Sequence, residues 1–224
     1  MTGQKAERKR QLILDRAHTI FAEKGFTAVT MKDIVDACHI SRGGLYRYYA
    51  STSEIFLEVF QKEAIEEQRQ LEINTEKMES PLAILTEYFE TQKHYLILKN
   101  KNLTMATYEY FLQYPDNQVI LKWQFDGIAE MLREVLQKGI EKNEIKCTDA
   151  AAMGRHFAIF VTNFRLAVAM IPFHEERIEE QIELLLSSIR KDEEWTDTLK
   201  SNCNTKSLCK PSTMQSKKKE ILSN

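Results

Sequence analysis

The sequence predicts an all-α protein, in which a small N-terminal unit of three helices precedes a larger helical body. Only seven glycines and four prolines interrupt the 224 residues, which favours long helices. Apolar residues recur at helical spacing along most of the chain, and no window of four or more residues alternates like a β-strand between turn residues. We expect the N-terminal unit over residues 1–51, the body over residues 52–193 and a disordered tail over residues 194–224.

The first predicted helix spans residues 5–24. Ile13, Ala17 and Phe21 recur on one face of this segment. Gly25 is well suited to follow the last helical turn, because glycine adopts the left-handed backbone conformation without a steric penalty.

Two short helices are predicted within residues 27–53. Thr30 begins the first of them, and Asp33, three residues later, completes a capping-box pattern. Ser41 caps the second, which we expect over residues 42–49. Two short helices joined by a turn of three or four residues have the spacing of a helix-turn-helix, whose second helix enters the major groove of DNA.

The second short helix carries side chains that suit contacts with DNA. Arginines bind phosphates or guanine edges, hydroxyls donate to phosphates, and glycines allow a close approach of the backbone. Residues 1–50 hold nine Lys and Arg against five Asp and Glu, whereas the whole chain has a net charge of −2. A basic N-terminus favours a polyanionic partner. The predicted DNA-binding residues are Thr30, Lys32, Ser41, Arg42, Gly43, Gly44, Tyr46, Arg47, Tyr48 and Thr52.

This region resembles the signature of the TetR family of bacterial transcriptional regulators. The resemblance covers residues 10–58 and is carried by SRGGLYRYY at 41–49, by the serines and glutamate that follow it, and by GF at 25–26 with TMKDI at 30–34. Two positions depart from the family pattern. His39 occupies the turn where the family usually has glycine, and histidine tolerates a left-handed backbone better than most residues. Thr52 replaces a lysine that often contacts phosphate, so we expect a weaker contact there.

The body is predicted to contain helices over residues 52–73, from residue 81, over 118–142, from Thr148 as N-cap to residue 170, and over 175–191. The helix that ends at residue 170 is apolar on two faces, so it needs neighbours on both sides. Together with the last helix it resembles half of a four-helix interface between two copies of the chain. The predicted dimer-interface residues are Phe157, Phe164, Val168, Ile182, Leu185, Leu186 and Ile189.

Aromatic residues are concentrated between residues 80 and 125, where nine of the 21 occur. The family resemblance implies a ligand pocket in this region, and aromatic walls with tyrosine hydroxyls suit a small, largely apolar ligand. Each of these residues also has an alternative role. The aromatic residues could pack in the core, and Glu109 could face water. His156 and Asn163 could be buried and hydrogen-bonded to the backbone or to water. The predicted ligand-binding residues are Tyr88, Tyr95, Tyr108, Glu109, Phe111, Trp123, His156, Phe160 and Asn163.

The resemblance therefore implies a homodimeric repressor that binds a palindromic operator in double-stranded DNA and is released by a small-molecule effector. An enzyme is disfavoured, because the sequence has no nucleophile motif, no paired carboxylates in an apolar context and no glycine-rich phosphate loop. We expect no cofactor. No apolar run approaches the ~18 residues that span a membrane, so we expect a cytoplasmic protein.

The four cysteines lack the spacing of a metal site, so no metal is predicted. The alternative to a ligand signal is a redox signal through Cys38 or through the pair Cys203 and Cys209. Cys38 follows the apolar face of its helix, which favours packing over reactivity.

Overall fold

The computed structural model describes residues 2–97 and 102–191. Within these ranges the chain contains nine α-helices, one 3₁₀ turn and no β-strand, apart from an isolated bridge between Ile145 and Arg190. The prediction of an all-α fold is confirmed. The predicted disordered tail lies outside the described residues, as do Cys203 and Cys209.

The helices follow one another along the chain with short connections. The N-terminal unit is formed by α1 (Thr2–Lys24), α2 (Met31–Cys38) and α3 (Arg42–Tyr46). The body is formed by α4 (Thr52–Lys77), α5 (Pro81–Ile97), α6 (Thr104–Gln113), the 3₁₀ turn Pro115–Asn117, α7 (Gln118–Glu141), α8 (Ala150–Met170) and α9 (Glu175–Ser187).

Side-chain caps define the ends of the short N-terminal helices. Thr30 and Asp33 form the predicted capping box at the start of α2. The Ser41 hydroxyl accepts a hydrogen bond from the Gly44 amide at 3.1 Å at the start of α3. His39 ends α2 in the left-handed conformation, with φ 52°, as expected for the turn.

Three helix boundaries in the N-terminal half differ from the prediction. α1 begins at Thr2 instead of residue 5. α3 ends at Tyr46 instead of residue 49, because the amides of Tyr48 and Tyr49 both donate to the Leu45 carbonyl and tighten the last turn. α4 continues past residue 73 to Lys77.

Two boundaries in the C-terminal half also differ. The N-cap of α8 is Asp149 and not Thr148, since the Asp149 carboxylate accepts from the Ala152 amide at 2.9 Å. α9 ends at Ser187 instead of residue 191, where its last carbonyls are bonded by the amides of Ser188 and Ile189.

One hydrophobic core joins the N-terminal unit to the body. Phe21 of α1 and Phe26 pack edge-on against Phe56 of α4, at ring-centroid distances of 5.1 and 5.2 Å. Tyr110 of α6 is fully buried in the same core, 5.0 Å from Phe26 and 4.7 Å from Phe56. The three N-terminal helices therefore share their core with α4 and α6.

A second core fills the body. It is formed mainly by α5, α7, α8 and α9, with Phe89 packed edge-on against Phe157 at 5.1 Å. α4 contributes Leu71 to this core and Phe56 to the first. α4 thus runs from one core to the other.

The structure corrects the assignment of the dimer-interface residues. All seven (Phe157, Phe164, Val168, Ile182, Leu185, Leu186 and Ile189) lie inside their own protomer, and none is more than 8% exposed. The cause is that α8 packs along α7, and α9 packs on α5, through these apolar faces. The second apolar face of α8, which includes Ala152, Ile159 and Met170, is exposed to solvent.

Candidate nucleic-acid interface and internal cavity

α3 presents its polar residues to solvent. Leu45 is fully buried and anchors the helix, whereas Ser41, Arg42, Tyr46 and Arg47 are exposed. Tyr46 is 55% exposed, which is unusual for a large ring and leaves it free to contact a partner.

The other predicted DNA-binding residues surround α3. Thr30, Lys32 and Gly43 are exposed, while Gly44, Tyr48 and Thr52 are half-buried. The Thr30 hydroxyl donates to Asp33 at 2.5 Å, so a phosphate would have to compete with that carboxylate for its proton. Lys24 and then Thr30 hold the pKa of Asp33 well below its usual range.

Lys9 of α1 is a basic residue at this surface that the sequence-based set did not include. Its Nζ lies 6.0 Å from the centre of the Tyr48 ring, and a Cβ at Gly44 would come within 3.3 Å of it. In the sequence, the three consecutive basic residues at 8–10 indicated that this part of α1 could contact DNA. Lys9 adds positive charge beside α3.

Three polar pairs connect α1 to α4 and so fix the N-terminal unit on the body. Arg10 pairs with Glu58 at 2.7 Å, Asp15 with Lys62 at 3.3 Å, and His18 with Glu63 at 3.1 Å. Tyr49 also donates to Glu58, at 3.0 Å, and burial raises the pKa of the Tyr49 hydroxyl to about 12. The segment that follows α3 is thereby tied to both helices.

A cavity of about 530 Å³ lies among α4, α5, α6, α7 and α8. Four of the predicted ligand-binding residues line it, namely Tyr88, Tyr95, Tyr108 and Phe111. The other lining residues are Phe60, Glu63, Glu67, Thr104, Thr107, Leu112, Gln118, Leu121, Lys122, Gln124, Phe125, Ile128, Ala158, Val161, Thr162 and Arg165. A mostly apolar wall with a few polar groups is typical of small-molecule sites.

Two predicted ligand-binding residues, Glu109 and Trp123, do not line the cavity. Glu109 of α6 accepts from the backbone amide and the hydroxyl of Thr27, at 2.8 and 3.0 Å, and so holds the loop between α1 and α2. A Cβ at Gly25 would lie 2.7 Å from the same carboxylate, so the close approach requires glycine. Trp123 is 62% exposed and does not line the cavity.

Three predicted ligand-binding residues on α8 also lie outside the cavity. His156 and Asn163 are on the exposed face of the helix, where the Asn163 amide donates to the Ile159 carbonyl at 2.9 Å. Phe160 packs against Phe164, with 5.2 Å between ring centroids.

A polar cluster closes one end of the cavity, and two of its members, Glu67 and Arg165, were absent from the predicted set. Arg165 donates to Glu67 at 2.7 Å, and its guanidinium lies 4.5 Å from the centre of the Tyr95 ring. Burial opposes the charge on Arg165, but the Glu67 carboxylate and the nearby tyrosines raise its pKa above the usual range. The sequence signal was one of two arginines in a largely apolar helix, and its partner lies 98 positions away.

Two tyrosines complete this polar cluster. The Tyr95 hydroxyl donates to Glu63 at 2.8 Å, whereas the buried Tyr88 hydroxyl has no hydrogen-bond partner within residues 2–97 and 102–191. Burial raises the pKa of both phenols well above the usual range, so both are neutral donors at neutral pH.

The match with a family model and a relative decides the identity of the chain. Residues 13–59 match the model of bacterial regulatory proteins of the tetR family. YfiR of Bacillus subtilis (strain 168), described as an uncharacterized HTH-type transcriptional regulator, is 30% identical over 149 residues, which cover 65% of this chain and 72% of YfiR. The chain belongs to the TetR family of transcriptional regulators. It is therefore a DNA-binding regulator of the repressor type.

Two solved structures share the fold, and the first of them is a TetR-family regulator. A regulator from Agrobacterium tumefaciens superposes with a TM-score of 0.73 at 17% identity, over 83% of this chain and 99% of that one. SmeT, solved in complex with triclosan, superposes with a TM-score of 0.65 at 17% identity, over 83% of this chain and 93% of SmeT.

Membrane-spanning and metal-binding features are absent from the described residues. No helix there is both long and apolar enough to cross a membrane, and no group of three His, Cys, Asp or Glu side chains is placed to hold a metal ion. Cys38 is 6% exposed, and burial raises the pKa of its thiol, which opposes formation of the reactive thiolate.

Proposed function

We propose that this TetR-family regulator is a homodimeric repressor that binds a palindromic operator and is released when a small, largely apolar effector occupies the cavity. The observation that carries the proposal is the position of α6. Thr104, Thr107, Tyr108 and Phe111 of this helix line the cavity, while Tyr110 is buried in the core of the DNA-binding unit.

α6 thus gives an effector a direct mechanical route to the DNA-binding helices. A ligand that displaces the cavity face of α6 also acts on Tyr110 and on Glu109, which holds the α1–α2 loop through Thr27. A ligand can shift the equilibrium only if it prefers the conformation that binds DNA less well. The complex of SmeT with triclosan, on the same fold, supports a small-molecule site.

The dimer is proposed to form through the exposed faces of α8 and α9. Ile159 and Met170 of α8 and Leu184 of α9 are 50%, 67% and 53% exposed, although all three are large apolar side chains. Exposed apolar surface of this kind marks association sites. Two such helix pairs form a four-helix interface about a two-fold axis, and two copies of α3 can then reach half-sites about 34 Å apart.

Selection of genomic DNA fragments by the purified protein, followed by footprinting, tests the proposed function. We expect a palindrome with two protected half-sites, because a two-fold dimer presents two identical copies of α3. A variant that carries both Arg42→Ala and Arg47→Ala is the control and should select no sequence. Recovery of asymmetric single sites, or of fragments without a common sequence, would contradict a homodimeric operator-binding protein.

A further inference from the structure

We propose that Glu63 makes the cavity selective for molecules with an apolar aromatic body and a cationic end, and that it transmits their binding to α1. This inference rests on the proposed effector function. It adds the chemical class of the ligand and the residue that couples the ligand to the DNA-binding unit.

The Glu63 carboxylate lies between the cavity wall and α1. Its Oε1 accepts from the Tyr95 hydroxyl at 2.8 Å, and its Oε2 lies 3.1 Å from Nε2 of His18 in α1. The Glu63 side chain lines the cavity and is 28% exposed. A single carboxylate therefore contacts both the ligand site and the N-terminal unit.

The charges along the cavity wall leave Glu63 without a fixed cation. The lining charged residues are Glu63, Glu67, Lys122 and Arg165. Glu67 is paired with Arg165 at 2.7 Å, and Lys122 is paired with Asp126 at the exposed rim. In the part of the chain that the structure describes, no lysine or arginine pairs with Glu63. A cation near Glu63 would neutralise this carboxylate, whereas an anion would be repelled by it.

A smaller cavity, of about 270 Å³, is lined in part by the same polar cluster. Glu63, Glu67, Tyr88, Tyr95 and Arg165 line both cavities. The smaller cavity adds Leu71, the carboxylate of Glu66, which lies 3.7 Å from Arg69, and a set of neutral polar side chains, namely Gln70, Asn74, Thr91 and Gln92. Its acidic and amide character suits an ammonium group, while the larger cavity holds the aromatic body.

Binding of a cation at this position competes with His18 for the Glu63 carboxylate. The contact between His18 and Glu63 is one of the three polar pairs that connect α1 to α4. Loss of this contact loosens α1, so a cationic ligand prefers the state in which the DNA-binding helices are less firmly held.

The charge preference can be measured with three probes that share one ring system and a one-carbon arm: naphthylmethylamine, naphthylmethanol and naphthoate. By calorimetry, the wild-type protein should bind the amine about tenfold or more tightly than naphthoate, with the alcohol between them. Glu63→Gln should abolish this preference, because it removes the charge and keeps the shape. Glu72→Gln changes an exposed glutamate of the same helix and should leave the preference intact.

The cavity-filling variant Thr107→Trp separates failure of this inference from failure of the proposed function. If the probes bind wild type, are lost in Thr107→Trp and are insensitive to Glu63→Gln, the charge selectivity is refuted while the cavity remains a binding site. Tighter binding of naphthoate than of the amine, or failure of all three probes to bind, would also refute the selectivity.

Transmission to α1 has an independent readout in the imidazole NMR signals of His18, assigned with His18→Gln. Saturation with naphthylmethylamine should shift the His18 signals in wild type and leave them unchanged in Glu63→Gln. The His18→Gln variant, folded by circular dichroism, should bind the selected operator about two- to fivefold more weakly, as expected for loss of a partly exposed polar pair. Unchanged His18 signals with the amine bound would refute the coupling role of Glu63.

Discussion

At the residue scale, we propose that the arginines on and beside α3 make different contacts with DNA. Arg42 opens the helix next to its cap Ser41, and Arg47 follows the last helical residue, Tyr46. Five residues of helix correspond to a rotation of about 140° between the two arginines, so they cannot serve the same contact. Both are exposed. We assign base contacts to Arg42 and phosphate contacts to Arg47, with the Tyr46 hydroxyl on a phosphate.

Substitution of each arginine by alanine tests this division. Arg42→Ala should weaken operator binding by roughly 1–3 kcal/mol and relax the preference at one position of each half-site. Arg47→Ala should weaken operator and random duplexes alike and lower the salt slope by about one unit per bound subunit. Binding to both duplexes across a salt series measures these effects. The opposite pattern, with base preference altered by Arg47→Ala alone, would show that α3 enters the groove by its other face.

Local chemistry could be predicted from sequence at this scale, and distant pairing could not. The caps Thr30 and Ser41 and the left-handed His39 depend on neighbours within a few positions, so their patterns are visible in the sequence. The pair of Glu67 and Arg165 joins helices 98 positions apart, and the periodicity of either helix carries no information about the other. The charged residues of the polar cluster were missed for this reason.

At the element scale, α8 shows what helical periodicity does not determine. Both stripes of this helix are apolar, so the sequence predicted two partners without indicating which face meets the protein's own α7. The structure places Phe157 and Phe164 inside and Ile159 and Met170 outside. Residues predicted for the interface therefore lie in the core, whereas His156 and Asn163, which were predicted for the pocket, lie on the outer face.

Two adjacent leucines of α9 test the reassigned dimer interface. Leu184 is 53% exposed and Leu185 is 6% exposed. Leu184→Glu should give folded monomers, because it places charge on the proposed interface and leaves the core intact. Leu185→Glu should instead destabilise the protomer by on the order of 3 kcal/mol, because it buries an unpaired charge. Sedimentation and thermal unfolding distinguish the two outcomes; a dimer undisturbed by Leu184→Glu would place the interface elsewhere.

At the scale of the whole molecule, the two cores share α4, and the cavity lies beside the first core. Phe60 and Phe111 belong to that core and also line the cavity. We therefore expect a change in the cavity to act on the packing of the DNA-binding unit. The sequence predicted a cavity with aromatic walls and four of its lining residues. Its closure by side chains from five helices depends on tertiary packing, which sequence patterns do not specify.

The most direct test of effector control is the operator affinity of wild type and Thr107→Trp in the presence of a compound that stabilises wild type on heating. Thr107 lines the cavity, and tryptophan there should exclude the ligand; Thr148→Trp, at an exposed position, is the control. We predict that the compound weakens operator binding at least about tenfold (1.4 kcal/mol) in wild type and in Thr148→Trp. The operator affinity of Thr107→Trp should be the same with and without the compound. The account would be contradicted if the compound weakened operator binding equally in Thr107→Trp and in wild type. It would also be contradicted if a compound bound in the cavity left the operator affinity of wild type unchanged.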